Sequence, residues 1–137
     1  MASLVLDAWA IMAWLKGQQP AAQFVRNLLD SAERREQTLV MNIMNLGEVL
    51  YLSTKARDLA YGQRVLSGLR PILAIESATY ELVMRAAVLK AGHAISYADA
   101  FAAATAIARE APLVTGDAEL RAVAVVEQKL KLQWIGG

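Results

Sequence analysis

The sequence contains no cysteine and a single histidine among its 137 residues. A disulfide framework and a thiolate metal site are therefore excluded, and a lone histidine does not make a metal site. The lack of cysteine also favours a cytoplasmic location over secretion. The three prolines and eight glycines form no linker, so we expect one domain that covers residues 1–137.

Neither sign of charge is in excess, because 14 Lys and Arg balance 13 Asp and Glu. The chain has no overall basic field, so any binding of nucleic acid would require a local patch. No basic segment precedes the first apolar run, which argues against a secretory signal peptide. The alanine-rich run from Ala100 to Ala108 is too short to span a membrane, and we expect no membrane association.

Apolar residues, in contrast, are abundant: they make up 56% of the chain against 20% for charged residues, which indicates a compact fold. Short apolar runs alternate with longer helical patterns. This alternation predicts an α/β fold with a mainly parallel central sheet flanked by helices. The predicted strands are residues 3–7, 38–41, 72–75, 113–115 and 132–135. The predicted helices start at Ala8, Pro20, Asn42, Asp58, Ser77, Ser96 and Asp117, and the second of them runs to about Arg35.

Two acids follow predicted strands directly. Asp7 ends the run "SLVLD", and Asp117 lies two residues beyond "LVT". Ligands of open parallel sheets bind at the carboxyl ends of the strands, so both side chains are expected at one crevice. Each acid is also a plausible N-cap of the helix that follows it.

Two further acids lie on predicted helices. Asp99 ends "SYAD", a capping-box pattern, but from Ala100 to Ala108 the single polar side chain is Thr105. A helix that is apolar all round is buried, and a buried carboxylate is costly unless it is paired or bound to a metal. Glu48, in "NLGEVLY", has no Lys or Arg at the positions three or four residues away.

Four acids without obvious cationic partners are thus expected near one another. Crowded carboxylates repel, and each raises the pKa of its neighbours. A hard cation that prefers oxygen ligands, Mg²⁺ or Mn²⁺, relieves this conflict. Such sites act on phosphodiesters, because the metal generates hydroxide and stabilises charge on the phosphate oxygens.

The segments "LVLDAWAIMAWL", "NLGEV", "ISYADAFAAATA" and "LVTGDAEL" resemble the four acidic motifs of the PIN domain, in order and spacing across essentially the whole chain. The likeness is strongest to the small single-domain toxins of VapC type. It implies a metal-dependent endoribonuclease that uses Mg²⁺ or Mn²⁺ and is silenced by a cognate antitoxin. It also implies a homodimer, which the several apolar helix faces of the sequence favour independently.

The resemblance assigns roles to residues one by one. Asp7, Glu48 and Asp99 match the core acidic triad, and Asp117 matches the fourth acid, which often acts through water. Thr115 matches the hydroxyl residue two positions before that acid. The chain departs from the family at Trp9, where Ser, Thr or Asn usually supports the site.

Trp9 therefore keeps a rival interpretation open: a catalytically weak or inactive PIN-like protein that binds RNA or a partner protein. A phospho-acceptor domain of receiver type is disfavoured, because paired acids near the first strand and a Lys after a late strand are missing. A haloacid-dehalogenase-like phosphatase would need a second Asp at position 9.

Six cations can bind RNA phosphates or simply form a solvated surface: Lys16, Arg34, Arg35, Lys55, Arg57 and Arg64. His93 follows a predicted helix end, where a favourable interaction with the helix dipole is a better explanation for it than a catalytic role. Trp14, Tyr51 and Met44 are expected to pack in the core.

Overall fold

A computed structural model describes residues 3–137 and shows a five-stranded sheet in which every strand pair is parallel. The order of the strands across the sheet is β3-β2-β1-β4-β5. The strands are β1 (Ser3–Leu6), β2 (Thr38–Asn42), β3 (Ala74–Glu76), β4 (Leu113–Thr115) and β5 (Leu132–Trp134). The predicted α/β architecture with a parallel central sheet is confirmed.

Seven helices connect and cover these strands within residues 3–137. They are α1 (Ala8–Lys16), α2 (Ala21–Glu33), α3 (Ile43–Ala56), α4 (Leu59–Leu69), α5 (Tyr80–Gly92), α6 (Tyr97–Arg109) and α7 (Ala118–Val126). The predicted N-caps Asn42, Asp58 and Ser96 are confirmed, since each side chain accepts a hydrogen bond from a backbone N–H in the first turn. None of these helices is long and apolar enough to cross a membrane.

The sheet is buried on both faces, which explains its continuous apolar strands. Successive side chains of a strand point to opposite faces. Leu6 accordingly belongs to the core beneath α1, α2 and α3, whereas Val5 belongs to the core beneath α5, α6 and α7. Helix α6 is buried along most of its length, from Ala100 to Ala106, as its composition predicts.

The strand order places a crevice at the carboxyl edge of the sheet. After β3 the chain crosses to the far side of β1, so that the strand order reverses between β1 and β4. Leu6 pairs with Val114, and the register therefore brings Asp7 level with Thr115. A reversal of this kind is where open parallel sheets bind their ligands.

Several predicted boundaries are wrong. The third strand begins at Ala74 and not at residue 72, because the backbone N–H groups of Ile72 and Leu73 both donate to Leu69 O and continue the end of α4. Helix α5 is capped by Thr79, which accepts from Leu82 N, and not by Ser77. The hydroxyl pattern alone does not distinguish these two residues.

Helix α2 is shorter than predicted at both ends. Pro20 is its N-cap, after a cis peptide bond from Gln19, and the helix ends at Glu33 because Arg35 adopts a left-handed conformation with φ 61°. The expected core positions are also partly wrong, since Tyr51 and Met44 are 52% and 42% exposed. Both lie on the outer face of α3.

Candidate active site

Asp7 lies at the carboxyl end of β1 and is buried, with 1% of its surface exposed. Its Oδ1 accepts a hydrogen bond of 2.9 Å from Ala10 N, so the side chain caps α1. Its Oδ2 accepts a hydrogen bond from the hydroxyl of Thr115. Burial raises the pKa of Asp7 to about 7, although these two hydrogen bonds oppose the rise, and the charges of Asp117 and Glu48 add to it.

Asp99 lies in the first turn of α6. Its backbone N–H donates to Ser96 Oγ at 3.1 Å, so Ser96 and not the Asp99 carboxylate caps this helix. Burial, followed by the charges of Asp117, Asp7 and Glu48, raises the pKa of Asp99 to about 7. A side-chain hydrogen bond with Asp117 makes a smaller contribution to the raised pKa of Asp99.

Glu48 is half-buried on α3, and its pKa is raised by burial and then by the charge of Asp117. A side-chain hydrogen bond from Asn45 acts in the opposite direction. The expected repulsion between these acids is therefore present, but for Asp7, Glu48 and Asp99 alike the larger cause of the raised pKa is burial.

Asp117 is the N-cap of α7, because its Oδ1 accepts from Glu119 N at 2.8 Å. Its own backbone N–H donates to Thr115 Oγ1 at 3.0 Å. The capping role proposed for Asp117 is thus real, and so is its place among the other acids. Each carboxylate oxygen has two lone pairs, so a cap retains capacity for another ligand.

Glu48, Asp99 and Asp117 border one pocket of about 400 Å³. The residues that line it are Ala8, Trp9, Met12, Ala13, Lys16, Gln18, Glu48, Leu52, Lys55, Ala56, Asp99 and Asp117. Asp7 does not line the pocket and joins the cluster through its charge interactions with Asp117 and Asp99. The structure therefore brings Asp7, Glu48, Asp99, Thr115 and Asp117 together at the carboxyl edge of the sheet.

The donor set fits a hard divalent cation by its chemistry. Every candidate ligand is an oxygen, and Asn45 adds a buried amide oxygen that accepts no hydrogen bond within residues 3–137. The ligands are not preassembled, because no three acidic or histidine side chains of the described chain stand in an arrangement that holds an ion. Both oxygens of Asp7 already accept hydrogen bonds from the protein, one from Ala10 N and one from the Thr115 hydroxyl.

Two contributions to the site were missed by sequence reasoning. Asn45 Nδ2 donates to Ala98 O at 2.9 Å, which ties α3 to the residue before Asp99. The indole of Trp9 lies directly on Gly116, where a Cβ would fall 2.2 Å from Cη2 of the ring. The sequence does show Asn45 three residues before Glu48 and Gly116 between Thr115 and Asp117. It does not show which distant residue each of them contacts.

Two of the six predicted basic residues lie beside the acids, and the other four lie elsewhere. Lys16 and Lys55 line the pocket with the acids. Arg34 instead pairs with Glu36, and the guanidinium of Arg57 lies over the ring of Tyr61. Arg35 and Arg64 border other cavities, and His93 is the residue that ends α5. Trp14 packs against the core as predicted.

The fold and the acid cluster define a class of small α/β proteins with a carboxylate site at the carboxyl edge of a parallel sheet. The family model for the PIN domain matches residues 4–126. The chain belongs to the PIN domain family, as the acidic motifs predict.

Solved structures with the same fold cover nearly the whole chain. VapBC2 from Rickettsia felis, bound to a DNA fragment from its promoter, has 19% sequence identity and a TM-score of 0.71, over 97% of this chain and 98% of that chain. DNA-bound VapBC from Salmonella typhimurium has 16% identity and a TM-score of 0.73, over 97% and 98%. VapC20 of Mycobacterium tuberculosis, described as a toxin that cleaves the sarcin-ricin loop, has 14% identity and a TM-score of 0.70, over 87% and 93%. A search of curated sequences found no match.

Proposed function

We propose that this protein is a divalent-metal-dependent endoribonuclease that hydrolyses RNA phosphodiester bonds. The observation that carries the proposal is the convergence of Asp7, Glu48, Asp99 and Asp117, whose mutual charge and burial raise the pKa of three of them. A cluster of carboxylates with raised pKa values in a cleft is a typical feature of a catalytic site.

Asp7, Glu48, Asp99 and Asp117 would hold Mg²⁺ or Mn²⁺, which when bound lowers the pKa of water and stabilises charge on the phosphate. The remaining residues position these ligands. Thr115 orients Asp7 by donating to Oδ2, and its Oγ1 fixes the loop that carries Asp117 by accepting the N–H of that residue. Asn45 holds α3 against the start of α6, which keeps Glu48 and Asp99 at a fixed separation.

The biological role we propose is that of the toxin in a toxin–antitoxin pair, acting in the cytoplasm. The family membership supports it, and so do the VapBC structures that share the fold. The partners would be an RNA substrate, a cognate antitoxin and a second copy of the chain. Exposed apolar side chains on α5 at helical spacing, Tyr80, Met84 and Val88, provide a surface for the homodimer.

The alternative is a PIN-like protein that binds RNA or a partner but cleaves weakly or not at all. The observation that favours it is Trp9, whose indole fills space next to the acids where the family usually has a small polar side chain.

A cleavage assay separates these two functions. Purified protein is incubated with single-stranded RNA in Mg²⁺ or Mn²⁺, with EDTA and the Glu48→Gln variant as controls. Cleavage that needs both the metal and Glu48 supports the nuclease. RNA binding without cleavage in either metal supports the alternative.

A further inference from the structure

The pocket at the acid cluster continues as a groove between α1 and α3. Both helices start at the carboxyl edge of the sheet, directly after β1 and β2. The lining positions on α1 recur at helical spacing, and those on α3 do the same, so each helix contributes one face. Ser53 Oγ donates to Met12 Sδ at 3.8 Å and joins the two helices beneath the groove.

The groove changes chemical character along its length. Glu48 lies in the first half of α3, and Lys55 lies seven residues further along the same helix. Lys16 likewise lies seven residues beyond Trp9 on α1. Seven residues of an α-helix span about 10 Å. One end of the groove is therefore acidic, the other end carries two exposed lysines, and apolar side chains such as Leu52 form the floor between them.

Trp9 is held at the acidic end of this groove. The six-membered ring of its indole lies so close to Gly116 that a Cβ there would come within 2.6 Å of three ring atoms. This contact fixes the ring beside the loop that joins Thr115 to Asp117. The side chain is half-buried and also lines the pocket, so it presents an immobilised aromatic surface next to the carboxylates.

We propose that the groove is a subsite for unpaired RNA, in which Trp9 stacks on a base next to the scissile bond and Lys16 and Lys55 bind phosphates further along the strand. The proposal rests on the proposed function for the identity of the substrate. Proteins bind single-stranded nucleic acids by stacking aromatic side chains on the bases and by placing cationic side chains along the phosphates. Such stacking needs a base that is not already stacked on neighbouring bases. A base-paired duplex keeps its bases stacked inside and cannot present one to Trp9.

The test is a binding measurement with a short single-stranded RNA and the same RNA annealed into a duplex. The parent protein is the full chain with Glu48→Gln, which prevents cleavage. In a version that also carries Trp14→Phe and Trp134→Phe, Trp9 is the remaining tryptophan of the three in the sequence. We expect the single strand to quench its fluorescence and the duplex to bind at least tenfold more weakly.

Variants of the lining residues are then compared by affinity and by salt dependence. Trp9→Leu is expected to weaken binding by roughly 5- to 100-fold, and Trp9→Phe by less, because base stacking on an aromatic ring is lost or reduced. Lys16→Gln and Lys55→Gln should each lower the slope of log affinity against log salt by about 0.7. Lys129→Gln is the matched control, since Lys129 is also exposed but borders other cavities. Both lysines of the groove are exposed, so their variants test the subsite even if a Trp9 variant folds poorly.

Two outcomes would overturn the subsite: unchanged affinity and salt slope in the Trp9 and lysine variants, or equal binding of the duplex. Cleavage by the wild-type protein is measured separately in Mg²⁺ and Mn²⁺. If the wild-type protein cleaves RNA but the groove variants bind RNA normally, the subsite is refuted and the nuclease proposal stands. If RNA binding depends on Trp9 and both lysines but the wild-type protein does not cleave RNA, the nuclease proposal is refuted and the subsite stands.

Discussion

The hydroxyl of Thr115 donates a hydrogen bond of 2.5 Å to Oδ2 of Asp7, across the junction between β4 and β1. The same hydroxyl oxygen accepts the backbone N–H of Asp117. One buried side chain thus connects the acid at the end of the first strand with the acid after the fourth. Thr115 is therefore a positioning residue, which acts on the site through these two acids.

Thr115→Val should move the pH dependence of cleavage to higher pH. The hydrogen bond from Thr115 lowers the pKa of Asp7, so its loss raises that pKa above its present value of about 7. A larger fraction of Asp7 is then protonated at neutral pH and unable to bind metal. The measurement is a pH–rate profile in Mn²⁺, with Thr115→Ser as the control that keeps the hydroxyl. A profile identical to that of the wild type would refute the coupling.

The metal-free protein should lose stability as pH rises from about 4 to about 7. Asp7 and Asp99 have pKa values of about 7 in the folded state against an ordinary 3.8. In this window the folded state holds protons that the unfolded state has released, so the free energy of unfolding decreases with pH. The stability from these groups is fully present below the ordinary pKa and is lost as pH passes the folded pKa.

Asp7→Asn isolates this effect, because the amide imitates the protonated acid and still accepts from Ala10 N. The variant should match the wild type near pH 4 and be the more stable protein near pH 8. The difference should be on the order of a few kcal/mol, since a tenfold change in an acid constant corresponds to about 1.4 kcal/mol. Urea denaturation in EDTA at several pH values measures it. Parallel curves for the two proteins would show that Asp7 ionises normally.

Asp99→Asn and Asp7→Asn should each abolish Mn²⁺-dependent cleavage of RNA without unfolding the protein. Loss of one ligand should reduce the rate by orders of magnitude, because the metal supplies both the nucleophile and charge stabilisation. Asp30→Asn is the matched control, since Asp30 is an exposed acid on α2. Near wild-type cleavage by either site variant, with contaminating nucleases excluded, would disprove these roles.

Sequence patterns predicted the central strands better than the edge strand β3. β1, β2 and β4 are buried on both faces, so their apolar runs are continuous and easily recognised. β3 is an edge strand whose Ala74 is exposed. The apolar residues that suggested an earlier start, Ile72 and Leu73, belong to the turn after α4. Their burial there gives the same hydrophobic signal as a strand.

The acids were predictable because their positions follow from local features: a strand end or the first turn of a buried helix. The contacts that complete the site depend on packing between distant segments. Asn45 meets Ala98, and Trp9 meets Gly116, only once helices and loops are assembled. The selection of Lys16 and Lys55 from six predicted cations likewise depends on how α1 lies beside α3.

Val88→Glu should convert a homodimer into monomers. Tyr80 and Val88 are 79% and 73% exposed in the single chain, and with Met84 they form one stripe along α5. A second copy of this stripe would cover them, and a buried glutamate would oppose that contact. Light scattering at micromolar concentration measures the mass, with the exposed substitution Gln63→Glu as the control. A monomeric wild-type protein would contradict the prediction.

Asp117 allows capping and metal binding to be separated by two substitutions at one position. Its Oδ1 caps α7, and its charge raises the pKa of Asp99 and of Glu48. Asp117→Asn keeps a capping oxygen and removes the charge, so the metal-free variant should melt at the same temperature as the wild type or higher. Asp117→Ala also loses the cap, which costs about 1 kcal/mol, and should therefore melt below Asp117→Asn.

Mn²⁺ should raise the melting temperature of the wild-type protein and raise that of both Asp117 variants less. A cation at about 100 times its dissociation constant contributes roughly 2.7 kcal/mol, which corresponds to several degrees for a domain of this size. Differential scanning calorimetry with Mn²⁺ and with EDTA measures both effects. A metal-free Asp117→Asn protein that melts clearly lower than the wild type, together with a wild type that does not respond to Mn²⁺, would reduce Asp117 to a helix cap. The carboxylate cluster would then have no cation to relieve its repulsion, and the nuclease proposal would fail with it.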